Sequence, residues 1–189
     1  MKFLFVHQNM PGQYVHIARH LAQSGHEVSF ITQPRAAQIA DVRKLEYEPA
    51  APSGGGHAYT REFESGVANG LAVARVCEWL ARDGFVPDIV IGHNGWGEIL
   101  YVKDLWPQTP LLGYFEFFYR ANGSDVDFDR EFPPEPDAPM RLRTRNALNL
   151  LASTRSIGAR AQPNGSARSI RNATGTASRS CMKESTRAW

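Results

Sequence analysis

Residues 1–32 read MKFLFVHQNMPGQYVHIARHLAQSGHEVSFIT. An apolar run from Lys2 to His7 breaks at an Asn-Met-Pro-Gly loop, Asn9 to Gly12. Tyr14, Ile17, Ala18 and Leu21 then recur at helical spacing, so a helix is predicted from Gly12 to Gln23, with Gly25 just past its end. A second apolar run extends from Glu27 to Thr32, its strand predicted over Val28 to Thr32. Strand, glycine turn, helix, strand is one βαβ unit, the opening of a parallel Rossmann-like sheet. Such sheets collect ligands outside the carboxyl ends of their strands, where the Asn9–Gly12 loop falls. The loop holds one glycine, Gly12, which is not the G-x-G-x-x-G fingerprint, so neither a nicotinamide nor a flavin cofactor is expected.

The pattern continues outward from this unit. A weaker strand is predicted at Val42 to Tyr47, then a flexible loop at Pro49 to Gly56. A long helix from Tyr59 to Arg82 carries Val67, Leu71, Ala74, Val76 and Leu80 on one face, and its Gly66 and Gly70 mark either a kink or close packing. Pro87-Asp88 introduces a buried strand, Ile89 to Gly92, followed by HNGWGE and a helix from Glu98 to Leu105. The next strand, Leu111 to Phe115, runs into the aromatic cluster EFFY. A polar, proline-rich loop from Asn122 to Pro139 leads to a last helix, Met140 to Ala152. Strands alternating with helices define the class as α/β, a parallel sheet flanked by helices.

After Ala152 that logic stops. The 37 residues of 153–189 contain no Leu, Val, Phe or Tyr, and 26 of them are Ser, Thr, Arg, Ala or Gly. Such a segment buries too little apolar surface to offset its ordering entropy, so a disordered tail is expected. Charge divides at the same place. Residues 1–152 hold 14 basic and 18 acidic residues, a net of −4, and residues 153–189 hold seven basic and one acidic, a net of +6. The chain of 189 residues, 42% hydrophobic and 11% aromatic, is enough for one domain with a real core, assigned to 1–152. It has no 18-residue apolar run and no signal-peptide pattern, and Cys77 and Cys181 show no metal or disulfide spacing, so a cytoplasmic protein is expected. The N-x-S/T matches at Asn122, Asn164 and Asn172 are then chance occurrences.

Four segments in order, MKFLFVHQNMPGQYVHIARHLAQSGHEV, PDIVIGHNGWGE, PLLGYFEFFY and RLRTRNALNLLA, resemble the N-terminal domain of family-4 glycosyltransferases. The resemblance covers residues 1–152. It implies the first half of a retaining GT-B enzyme, in which two Rossmann-like domains face each other across a cleft. The first domain mainly binds the acceptor, and the second binds the nucleotide-sugar donor. The implied function is transfer of a sugar from a nucleotide-sugar donor to a hydroxyl acceptor such as a glycan, with no cofactor beyond that co-substrate. The donor half is not recognised in this sequence, so the chain alone is expected to be inactive. The tail suggests why. With its codons regrouped by one base, Arg160 to Ser166 can encode Ser-Pro-Thr-Glu-Trp-Gln, and Cys181 to Trp189 can encode a second phrase similar to the family's. A frameshift near Ser153 is the expectation that follows.

Site candidates lie on the carboxyl-end loops. Gly12, without a Cβ, lets backbone N–H groups approach a phosphate or a sugar hydroxyl, or simply makes a tight turn; Asn9 and Gln13 are its polar neighbours. His93 follows the buried strand and resembles the family histidine that orients the transferred sugar, which makes it the catalytic candidate. Trp96 suits stacking on a sugar face, and Asn94 and Glu98 suit hydroxyl hydrogen bonds, although Glu98 also fits a helix start. Glu116 and Tyr119 lie on the same rim, His7 stands at the tip of strand one, and Phe115, Phe117 and Phe118 read as core. No metal-ligand cluster or Ser-His-Asp set stands out, so no metal is expected. The alternative is a non-catalytic α/β module that binds a glycan or a protein. Nucleic acid is not expected, because the basic tail lacks interleaved aromatics. No membrane span is expected, and peripheral membrane association is left open.

Overall fold

A computed structural model describes residues 1–51, 56–123, 131, 133–154 and 159–161. Six parallel strands form one sheet: β1 (Lys2–Val6), β2 (Glu27–Thr32), β3 (Val42–Glu46), β4 (Ile89–His93), β5 (Leu111–Phe115) and β6 (Ala159–Ala161). Their spatial order, β3-β2-β1-β4-β5-β6, is that of the doubly wound Rossmann sheet. In the registers, Phe5 pairs with Phe30 on one side and Ile91 on the other.

Alternation along the strands divides the core in two. Leu4, Val6, Ile31, Val90 and Leu111 face one way, against α2 (Arg61–Arg82), α3 (Val102–Leu105) and the end of α4 (Ala138–Ser153). Phe5, Val28, Phe30 and Ile91 face the other, against α1 (Val15–Gln23). Phe5 and Phe30 stack with ring centroids 5.8 Å apart, and burial of each contributes about 1.5–3 kcal/mol. Among the described residues no helix is long and apolar enough to cross a membrane. Cys77, enclosed by α2 and the sheet, has its thiol pushed up to about 12 by burial.

The expected elements are present, with shifted edges. Gly12–Tyr14 forms a single 3-10 turn before α1, and α4 begins at Ala138 with proline in its first turn. Gly66 and Gly70 mark close packing. A Cβ on Gly66 would stand 2.5 Å from Leu148 Cδ1, and one on Gly70 would stand 2.7 Å from the Gly97 carbonyl oxygen. The helix predicted from Glu98 is shorter, starting at Val102. Gly97, at φ +91°, fits against the backbone of Gly66 and turns the chain inward before α3 begins.

Ala159–Ala161 adds an edge strand to β5 where composition predicted none, with Tyr114 paired to Arg160. Backbone pairing needs no apolar side chains, which is why composition does not reveal it. The frameshift expectation rests largely on residues 155–158 and 162–189, which lie outside the described residues, as do 52–55, 124–130 and 132 of the two predicted loops.

Candidate functional site

The strand order reverses between β1 and β4, and each of these strands delivers a histidine to the carboxyl edge. His7 and His93 meet edge to face, ring centroids 5.4 Å apart at 80°. Both rings are buried. The Gly95 backbone N–H donates to His93 Nδ1 at 3.1 Å, which places the ring proton on Nε2. That Nε2–H donates to Glu116 Oε2 at 3.1 Å. Burial lowers the His93 pKa, opposed by the hydrogen bond and charge of Glu116, so the ring is held neutral. His7 is lowered mainly by burial as well, with the Asn9 backbone opposing and His93 adding to the shift.

Gly12 has a defined structural duty here. Its φ is +50°, and a Cβ would stand 3.0 Å from the His7 ring. The turn that opens toward α1 therefore closes over His7, whose Nδ1–H donates to the Asn9 carbonyl at 2.8 Å. Asn9 and Gln13 are exposed on this loop. None of Asn9, Gly12 and Gln13 lines the cleft beside His93.

That cleft, of about 250 Å³, opens between His93, Trp96, Glu116, Phe117, Tyr119 and Arg145. Its outer wall is the EFFY segment after β5, and α4 holds it in place. Asn146 clamps Tyr119 from both sides of the peptide: Oδ1 accepts the Tyr119 N–H at 2.9 Å, and Nδ2 donates to the Tyr119 carbonyl at 2.8 Å. One turn on, Asn149 Nδ2 donates to the Phe117 carbonyl at 3.0 Å. The Arg145 guanidinium lies 4.1 Å from the Tyr119 ring centroid, and its Nε pairs with Glu62 of α2 at 2.6 Å. Phe117 and Tyr119 run nearly parallel, 6.2 Å and 18° apart. Trp96 lies 6.3 Å and 29° from His93 and is 43% exposed.

The structure thus brings together His93, Trp96, Glu116 and Tyr119. It does not bring Asn94 and Glu98 to the rim, a correction to their expected roles on ligand hydroxyls. Both are fully buried, because the inward turn at Gly97 carries this loop into the core. Asn94 Nδ2 donates to the carbonyl and side chain of Asn149, and so supports the wall from behind. Glu98 Oε1 accepts the Tyr47 hydroxyl at 3.0 Å, and burial pushes its carboxyl up to about 7. It does not cap a helix. Phe117, expected in the core, is 44% exposed on the cleft wall, whereas Phe115 is buried as expected.

Arg145, Glu62 and the two asparagines escaped the sequence reading as site residues. A signal for the asparagines was present: amides three apart on a helix are costly to bury unless each has a set task. Among the described residues no group of three or more His, Cys, Asp or Glu is arranged to hold a metal.

Fold and rim together define an α/β Rossmann-like domain whose candidate site lies at the switch point of a doubly wound sheet. Residues 24–168 match the model of the Glycosyl transferase family 4 group, well over half of the chain, and the chain belongs to that family. No curated relative matches it. Among solved structures it is similar to apo UGT2 of Phytolacca americana, at 14% identity and a TM-score of 0.52, covering 85% of this chain and 45% of that one. The same protein complexed with UDP-2fluoro-glucose and pterostilbene matches at 18% identity and a TM-score of 0.43, over 60% of this chain and 30% of that one. The chain therefore spans less than half the length of these two structures. The apo match supports the α/β Rossmann-like fold.

Proposed function

We propose that this chain is the acceptor-binding half of a glycosyltransferase that moves a sugar from a nucleotide-sugar donor to a hydroxyl acceptor, with retention of anomeric configuration. One observation carries this reading: a buried neutral histidine bonded to a carboxylate at the mouth of an aromatic-walled cleft, on the ligand-binding edge of the sheet. A hydroxyl entering the cleft donates to Glu116 Oε1, while His93 Nε2–H holds that carboxylate in place through Oε2. His93 is the residue that orients the sugar, and catalysis rests on positioning and charge stabilisation. Arg145 is the cation lining the cleft, and it is committed to Glu62. The domain alone therefore offers little to a leaving diphosphate, and turnover requires a donor-binding domain. A nucleotide-sugar co-substrate also fits the cytoplasmic location that the sequence predicts.

The test compares the 189-residue chain with a version joined to the donor domain of a family-4 group enzyme, reading nucleotide release from nucleotide sugars. The joined enzyme should turn over and the chain alone should not. In the joined enzyme His93→Ala should lower kcat by about 10²-fold with an unchanged circular-dichroism spectrum. Full turnover by that variant would remove His93 from the mechanism. Sugar binding without turnover in any arrangement would favour the alternative, a non-catalytic glycan-binding module.

A further inference from the structure

The outer wall of the cleft is built more firmly than a solvent-facing loop requires. Phe117 shows 44% of its surface to solvent, yet its carbonyl is tied to the buried Asn149. Its stacking partner Tyr119 is clamped through both backbone groups by Asn146 and covered by Arg145. An exposed aromatic ring held this way is a prepared platform, since little conformational freedom is lost when a flat partner settles on it. Trp96 supplies a second exposed ring beside His93 on the same cleft.

Charge selects among the partners that could use such rings. The cleft presents two carboxylates, Glu62 and Glu116, and one cation, Arg145. Arg145 is neutralised by Glu62 at 2.6 Å, and His93 is neutral. Glu116 is 40% exposed and spends Oε2 on His93, while Oε1 has no partner among the described residues. The cleft is thus net negative, rich in hydroxyl acceptors, and without an uncommitted cation. A phosphate or carboxylate entering it would meet repulsion and gain no counter-charge.

From this we infer that the acceptor is an uncharged pyranoside, its apolar face on Phe117 and Trp96 and its hydroxyls on Glu116. At about 250 Å³ the cleft lies below the roughly 300–1,000 Å³ of drug-sized sites, which suits one terminal sugar ring better than a long chain. This inference rests on the acceptor-binding reading above and adds the substrate class. Glu62 becomes a specificity residue under it, because it cancels the charge that would otherwise attract anionic sugars.

The experiment uses the full chain labelled with 5-fluorotryptophan, the Trp96 resonance being assigned from Trp96→Phe. Probes are methyl glucopyranoside and methyl mannopyranoside, glucose 6-phosphate, methyl glucuronide, and a phenol without a sugar. A neutral pyranoside should shift the Trp96 signal and bind about tenfold more tightly than either anionic sugar. Phe117→Ala should weaken it about tenfold, and Phe117→Tyr should restore it, which separates loss of stacking from loss of fold. Glu62→Gln frees Arg145 and should narrow or invert the preference against anionic sugars. Tighter binding of an anionic sugar to the unmodified chain, or binding of the phenol alone, would overturn the pyranoside assignment while leaving an acceptor cleft. A folded chain whose Trp96 signal responds to no probe would remove the acceptor reading as well.

Discussion

At the residue scale, two titration effects are set against each other. Glu98 is held near 7 by burial, above the ordinary carboxylate value of 4.5. Between those limits the unfolded chain ionises its glutamate while the native state keeps the proton, so stability falls as pH rises from about 4.5 to 7. The full penalty above pH 7 is about 3 kcal/mol. His7 and His93 act in the opposite sense. Their native pKa values are lowered, so below about 6.5 the unfolded state takes up protons that the native state refuses, and stability falls as pH drops. Glu98→Gln keeps the acceptor for the Tyr47 hydroxyl and removes only the ionisation. Its urea midpoint should exceed that of the parent by a margin that grows between pH 5 and pH 8, and its own profile should rise from pH 5 to 7 as the histidine effect stands alone. Parallel profiles for the two proteins would show that Glu98 is not held protonated. None of this was legible from Glu98 as a letter, because its environment depends on one glycine at positive φ two elements away from Tyr47. His93, by contrast, was legible: a histidine closing a buried strand has its position set by the strand itself.

At the element scale, the contrast is between periodic segments and the loops that join them. The strands and α2 were readable because their apolar residues recur at fixed intervals and the sheet accepts that pattern directly. The EFFY wall was legible only in part. Glu116 and Tyr119 were expected on the rim, but Phe117 reads as core, and what turns it outward is a set of hydrogen bonds from another element. Asn146 and Asn149 of α4 decide its course, since buried amides that meet main-chain groups fix a loop as firmly as a strand pairing does. Asn146→Ala would remove the two bonds it makes to the Tyr119 main chain and should cost about 1–3 kcal/mol. Amide exchange at Tyr119 should accelerate far more than exchange in β1 or β4, because the loss is local. Uniform acceleration across the sheet would instead mean that Asn146 supports the whole α4 docking.

At the scale of the whole molecule, the doubly wound order could be anticipated from one βαβ unit and alternating elements, but the extent of the sheet could not. Composition ended the ordered domain at Ala152, whereas α4 ends at Ser153 and a further strand covers the outer side of β5. The family match, too, runs past Ala152 to residue 168. The difference has a physical consequence. Without Ala159–Ala161, β5 becomes an edge whose backbone from Gly113 to Phe115 can pair with another molecule, the usual route to association through a sheet. Two truncations separate the composition view from the topological one. A chain ending at residue 161 keeps the covering strand and should match the parent in melting temperature and remain at the same mass in sedimentation as concentration rises. A chain ending at Thr154 loses the strand and should associate with increasing concentration, even though the removed residues carry no Leu, Val, Phe or Tyr. If both truncated chains sediment alike, the edge strand protects nothing, and the first five strands are the self-sufficient sheet.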